Sequence, residues 1–276
     1  LENIRVKRLE TMEELYEMQE LEKAVWQGTP VPVHHTFTVM KNGGILLGAY
    51  EGKRMVGFLY SFPGISKEWG NYLCSHMMGF LPEYRRKGIG ERLKRMQREL
   101  AEEAGFSRIT WTFDPLESVN AYLNLHKLGA IAARYDVNYY GIMNDGINRG
   151  LPTDRFHAVW DLKETSGRKP ADFDEKKVLL DATDCGKPIS TGSKERIWEG
   201  DGPWFVAVPA NIQQLKQDDF SLVLEWRRHT RAVFVQLFQA GFVASDFIRD
   251  PSGTMGYYVL TKAGEGENGG IADQKN

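Results

Sequence analysis

The sequence predicts an α+β fold, and two observations carry that expectation. Runs such as Ile45–Tyr50, Met55–Tyr60 and Tyr72–Leu81 have the composition and length of strands. Other segments place apolar residues at helical spacing, as Leu15, Met18, Leu21 and Val25 do. With 276 residues and 42% hydrophobic content, the chain can bury one main domain and an appendage.

Residues 3 to 9 suit a first strand, and Thr11 with Glu14 three positions on forms a capping-box pattern that opens a helix over 12 to 26. Residues 28 to 35, with Pro30 and Pro32, read as a loop. Two strands, 45–50 and 55–60, then pair as a hairpin around Gly52. A strand over 72–81 leads through Pro82 to a helix over 90–104 that Gly105 ends. A strand at 108–113, a breaker at Asp114 and Pro115, a helix over 118–128 closed by Gly129, and a strand around 137–140 complete this part. Polar, glycine-bearing stretches at 144–154 and 164–174 set the domain boundary near residue 165. Beyond it come a strand at 204–208, a helix from Asp218 or Asp219 to Ala240, and a hairpin of 242–248 with 257–261. The resulting division is 1–165, a smaller α/β extension over 166–262, and a disordered tail over 263–276.

A formal charge of −2 gives no basic footprint, so nucleic acid is not an expected partner. The two cysteines, Cys74 and Cys185, lack zinc-ligand spacing, which predicts free thiols and no metal. No apolar run of membrane length occurs, and the first residues, Leu1-Glu2-Asn3-Ile4-Arg5, carry charge already at Glu2, unlike a signal peptide. The expectation is a cytoplasmic protein with no membrane partner.

The chemistry sits in Arg85-Arg86-Lys87-Gly88-Ile89-Gly90, between a strand and a helix. A glycine turn that opens a helix aims backbone N–H groups at one point, where the positive end of the helix dipole also lies. Gly88 and Gly90 remove side chains that would block close approach, and the three cations suit phosphate oxygens. An ordinary basic turn would look similar. The Walker A pattern G-x-x-x-x-G-K-[ST] is absent, and the dinucleotide fingerprint G-x-G-x-x-G fails because the third position after Gly90 is Leu93.

The stretch from Gly79 to Leu93 resembles the [RQ]-x-x-G-x-[GA] motif of the GNAT superfamily of acyl-CoA N-acyltransferases. A second stretch, Asn120-Ala121-Tyr122 followed by Lys127-Leu128-Gly129-Ala130, resembles that family's N-x-x-A and K-L-G-F elements in order and spacing. The resemblance covers residues 3 to 162, and the runs 120–129 and 138–141 look like a little-characterised branch of bacterial predicted acetyltransferases. It implies a mixed, mostly antiparallel sheet flanked by helices and splayed between its fourth and fifth strands, with coenzyme A in the gap.

The resemblance also implies site residues. Main-chain groups around Met78 and Phe80 would hold the pantetheine, backbone amides of residues 86 to 91, ending at Glu91, would hold the pyrophosphate, and Asn120 would contact the coenzyme or cap its helix. Family members often carry a tyrosine as general acid at a position that is Leu125 here, so Tyr122 and His126 stand as candidates. The carboxylate often found on the fourth strand falls on Cys74, and His76, two residues on, becomes the candidate base. His34 and His35 are candidates for the acceptor pocket, and Arg227, Arg228 and Arg231 read as a solvated basic face.

The implied activity is transfer from acetyl-CoA, or another acyl-CoA, to an amine of a small metabolite, without a metal. Succinyl-CoA with an amino-acid acceptor is a variant associated with relatives of this branch. Leu125 and the absent carboxylate motivate the rival, a non-catalytic CoA-binding regulatory module. The C-terminal region resembles a second GNAT half without its glycine loop, expected to cover the acceptor site or to mediate homodimerisation.

Overall fold

The computed structural model describes residues 3–67, 69–141, 143, 150–163, 171–191, 200 and 202–264, so the expected tail lies almost wholly outside the described residues. The chain forms two compact units, divided within a strand at Trp111 and Thr112, whereas composition changes most sharply near residue 165. The first unit takes the chain up to Trp111 with a short return that begins at Asp161, and the second takes the remainder.

In the first unit, β1 (Ile4–Arg8), β2 (Ile45–Glu51), β3 (Arg54–Ser66), β4 (Gly70–Phe80) and the start of β5 (Arg108–Phe113) lie side by side in chain order. All pairs are antiparallel except β4 with β5. Among the described residues it holds the helices α1 (Met12–Trp26), α2 (Val33–Lys41) and α3 (Ile89–Glu103). The capping box of α1 forms as expected, with the Thr11 hydroxyl accepting from the Glu14 N–H and the Glu14 carboxylate accepting from the Thr11 N–H. Leu15, Met18 and Leu21 of α1 are buried with Leu46, Phe58 and Tyr60 of the sheet. Each such side chain contributes about 1.5–3 kcal/mol by leaving water.

In the second unit, α4 (Ser118–Ala121) continues as a π-helical turn over Tyr122–Lys127 and is followed by β6 (Ile131–Asp136) and β7 (Arg155–Asp161). Next come β8 (Val178–Ala182), β9 (Pro188–Ser190), β10 (Trp204–Pro209), α5 (Ile212–Asp218), α6 (Phe220–Gln239), β11 (Phe242–Arg249) and β12 (Met255–Lys262). The strand order is β7-β6-β11-β12-β10-β8-β9, and only β10 with β8 is parallel. Asp219 caps α6 by accepting from the Leu222 N–H.

Three local expectations are corrected. The loop expected to reach His35 ends at Pro32, which stands immediately before α2, so His34 and His35 are helical. The strand expected around 137–140 lies instead at 131–136, and Asn138 takes a left-handed φ of 51° in the turn that follows. Arg227 and Arg231 are not a solvated face. Arg227, 2% exposed, pairs with Asp114, and Arg231 grips Asp154 through two hydrogen bonds of 2.7 and 2.8 Å. Burial acts to raise the Asp154 carboxyl, but hydrogen bonds from Arg231 and Tyr135 outweigh it and hold the group below its ordinary range.

Gly79 shows how closely α1 sits on β4, because a Cβ built there would lie 2.7 Å from the Trp26 ring. Gly79→Ala is therefore expected to destabilise the protein by about 1–3 kcal/mol through overpacking, read as a lower urea midpoint at unchanged slope.

Candidate functional site

The glycine loop is built as the sequence implies. β4 ends at Phe80, a 3-10 turn over Pro82–Tyr84 follows, and α3 begins at Ile89 with Gly88 as its N-cap at a φ of 72°. Arg86 also has a left-handed φ, 61°. Two left-handed residues within three positions curl the main chain into a concavity of N–H groups at the positive end of α3. Arg85, Arg86, Lys87 and Gly88 are exposed, Gly90 is half-buried and Ile89 anchors the turn in the core. Tyr84 fixes the approach by donating to Glu51 at 2.6 Å while Lys87 lies over its ring. The carboxylate of Glu91 turns aside to Arg95 at 2.8 Å.

The strand beside this loop is open along one edge. β4 pairs with β5 only at Leu73 with Ile109 and Cys74 with Thr110, while on its other side β3 holds it all the way to Phe80. Met78 and Phe80 face Leu59 and Gly57 in that ladder, so their second edge borders the gap left by β5. A bulge falls in the same stretch, because Ser61 faces Ser75 and the next β3 position, Tyr60, faces Met77. His76 is the extra residue. The two-residue alternation that would group it with Cys74 is thereby interrupted.

His76 is open to solvent on one side and packed on the other against Tyr60 and Phe62, with ring centroids 5.7 Å away in each case. The surrounding protein and the charge of His35 hold its pKa below the ordinary histidine value. Of His34 and His35 on α2, His35 is the one that converges here, its Nδ1 standing 3.3 Å from the Tyr60 hydroxyl. Burial, with Glu22 and Cys74 nearby, pushes that phenol up to about 12. Glu22 is 5% exposed, accepts from the Val31 N–H, and is pushed up by burial. Sequence reasoning missed it, although it lies one turn from Met18 on the buried stripe of α1.

Sequence reasoning also missed Lys94. Its ammonium, 2% exposed, donates to the Ser75 hydroxyl at 2.8 Å and to Gln97 Oε1 at 3.3 Å, and lies 3.7 Å from the centre of the Trp111 ring. The signal was present, since Leu93, Gln97 and Ala101 repeat every four residues along the buried face of α3 and Lys94 adjoins them. Burial brings its pKa down to about 7.

In the second unit, Asn120 is exposed on α4 and does not cap that helix, whose N-cap is Glu117. The π turn carries Tyr122 and His126 round to stack at 4.7 Å with 22° between their planes. Arg249 covers the other side of Tyr122 at 3.7 Å, and His126 pairs with Asp246 at 3.0 Å. Leu125 is 2% exposed and packs in the core. With more than four residues per turn, Tyr122 aligns with His126 rather than with Leu125. Both cysteines are free, and among the described residues no cluster of metal-ligating side chains occurs. No described helix is long and apolar enough to cross a membrane.

The buried Lys94 makes stability depend on pH in a defined direction. Its folded pKa, about 7, lies below the ordinary 10.5, so the unfolded chain binds more protons between those values and the protein gains stability as pH rises through them. Lys94→Met removes the dependence. The urea midpoint of the wild type is therefore expected to rise relative to the variant between about pH 6 and pH 10, because each tenfold difference in proton affinity between the folded and unfolded chain is worth about 1.4 kcal/mol.

Residues 9–130 match the model of the Acetyltransferase (GNAT) family. An N-acetyltransferase from Staphylococcus aureus shares 18% identity over 58% of this chain and 99% of its own, with a TM-score of 0.48. The ribosomal-protein-S18-alanine N-acetyltransferase from Escherichia coli gives 14%, 61%, 99% and 0.47 in the same order. An IAA acetyltransferase from Bacillus cereus gives 17%, 57%, 99% and 0.44. No curated protein matches the chain. Over residues 9–130 the chain is thus similar to the GNAT family of acetyltransferases.

Proposed function

We propose that the protein transfers an acyl group, acetyl in the first instance, from acyl-CoA to an amine of a small metabolite by direct attack. The observation that carries this reading is the edge of β4 left open beside the glycine loop, because one continuous track then runs from an anion cradle to the histidine at the bulge. The N–H groups of residues 86 to 91 would hold the pyrophosphate, and the main chain of Met78 and Phe80 would pair with the amides of the pantetheine arm. Asn120, exposed on α4, is the further candidate contact for the coenzyme.

His76 is the base in this reading. Its low pKa leaves it neutral at physiological pH, and it faces Tyr60 and His35, the groups expected to line the acceptor's approach. Tyr122 and His126 are the candidates to protonate the departing thiolate. In the C-terminal region, β10 is followed by two helices, α5 and α6, and then by β11 and β12, much as β5 is followed by α4, β6 and β7, and β8 lies parallel to β10 as β4 does to β5. That repetition supports reading the region as a degenerate second half.

Thiol release from acetyl-CoA, screened against amino acids, amines and peptides, is expected to appear with an acceptor of the first two classes. His76→Gln should lower kcat/KM about 10²- to 10⁴-fold. The wild-type profile should lose activity as pH falls through a value below 6.5, and the variant should lack that limb. CoA binding without release for any acceptor would favour the regulatory module instead.

A further inference from the structure

The point where β4 and β5 part carries a set of hydrogen-bond donors with nothing to donate to. The Ser75 side chain is buried, and its oxygen accepts from Lys94, which leaves the hydroxyl proton unused. Gln97 is fully buried, its Oε1 accepts from Lys94, and its Nε2 meets no acceptor. Among the described residues no carboxylate bonds to Lys94. Its titratable neighbour is the Cys74 thiol on β4, and β5 contributes the Trp111 ring.

A buried ammonium without a counter-ion and a buried amide N–H without an acceptor are each unfavourable, and both are relieved by an oxygen that carries negative charge. Ser75 is the last β4 residue before the bulge, one position past the last residue paired with β5. The array therefore borders the inner end of the gap in which the acyl-CoA reading places the thioester.

We propose that the Ser75 hydroxyl donates a hydrogen bond to the acyl oxygen of the bound thioester, with Lys94 and the Gln97 amide as positioning residues behind it. The inference rests on the acyl-CoA reading above. When the acceptor nitrogen bonds to the thioester carbon, the carbonyl pair moves onto oxygen, and that oxygen accepts from Ser75. The pair then returns, the carbon–sulfur bond breaks, and the thiolate leaves, while the amine's proton passes to the base. Lys94 polarises the Ser75 hydroxyl by donating to its oxygen, so the donor strengthens where charge develops.

The test compares wild type with Ser75→Ala and Lys94→Met under steady-state turnover of acetyl-CoA, together with the infrared carbonyl stretch of bound ¹³C-labelled acetyl-CoA. Ser75→Ala is expected to lower kcat about 10²- to 10³-fold while KM for acetyl-CoA changes less than about threefold. The bound carbonyl stretch should fall below its solution value in the wild type and return to it in Ser75→Ala. The double variant should be no slower than the slower single one, because Lys94 acts through Ser75. Ser75→Ala deletes one oxygen, so it decides the matter even where Lys94→Met folds poorly. Wild-type kcat in Ser75→Ala, with a bound carbonyl stretch that stays at the wild-type bound value, overturns the inference and leaves the acyl-CoA reading standing, whereas a wild type that binds no acetyl-CoA overturns both.

Discussion

The organisation of the first unit depends on one interruption, the end of pairing between β4 and β5 after Cys74 and Thr110. A strand that loses a neighbour in the middle of a sheet exposes a row of main-chain donors and acceptors that need partners. On its other side β4 stays bonded to β3 as far as Phe80, interrupted by the bulge at His76, so the open edge is held in place and remains available. The glycine loop follows immediately, which places the positive end of α3 next to the same edge. An extended ligand with a phosphate at one end and amides along its length matches both features at once.

The same interruption explains where the structure spends stability. A lysine pressed against an indole ring inside a sheet–helix layer is unfavourable while charged, and an apolar residue of similar volume would fill the space at lower cost. The bulge at His76 is a second irregularity within two residues of Ser75. Irregular features that cluster in this way are more common at functional sites than elsewhere. Tyr60, buried and close to the buried Glu22, packs against the same histidine and meets the exposed His35.

Much of this was legible in the sequence because local chemistry decides it. Thr11 and Glu14 fix the start of α1 through reciprocal hydrogen bonds, and Gly88 can adopt the left-handed turn that the loop requires. What escaped the sequence depends on tertiary pairing. Val137, Tyr139 and Tyr140 have stronger strand preferences than Ile131-Ala132-Ala133, yet the latter pair with β7 and β11 while the former close a turn on Thr153. Pro32 looked like loop but is the last residue before a helix, a position where its fixed φ does no harm. The π turn changed which residue Tyr122 meets, and no propensity scale distinguishes π from α over six residues.

Leu125 remains the departure with the widest consequences, because a buried apolar side chain supplies no proton to a departing thiolate. Transition-state charge falls on two atoms in acyl transfer, first on oxygen and then on sulfur, and a site weak at one can compensate at the other. A fixed donor such as Ser75, already oriented by Lys94, needs no rearrangement when charge appears, so its orientation is settled during folding rather than during the reaction. A thiolate is also a comparatively stable leaving group, with a thiol pKa near 8.5, and tolerates late or solvent-borne protonation better than an alkoxide would. In the proposed reaction the balance of this site thus lies toward the oxygen, which is where Ser75 and Gln97 have donors to offer.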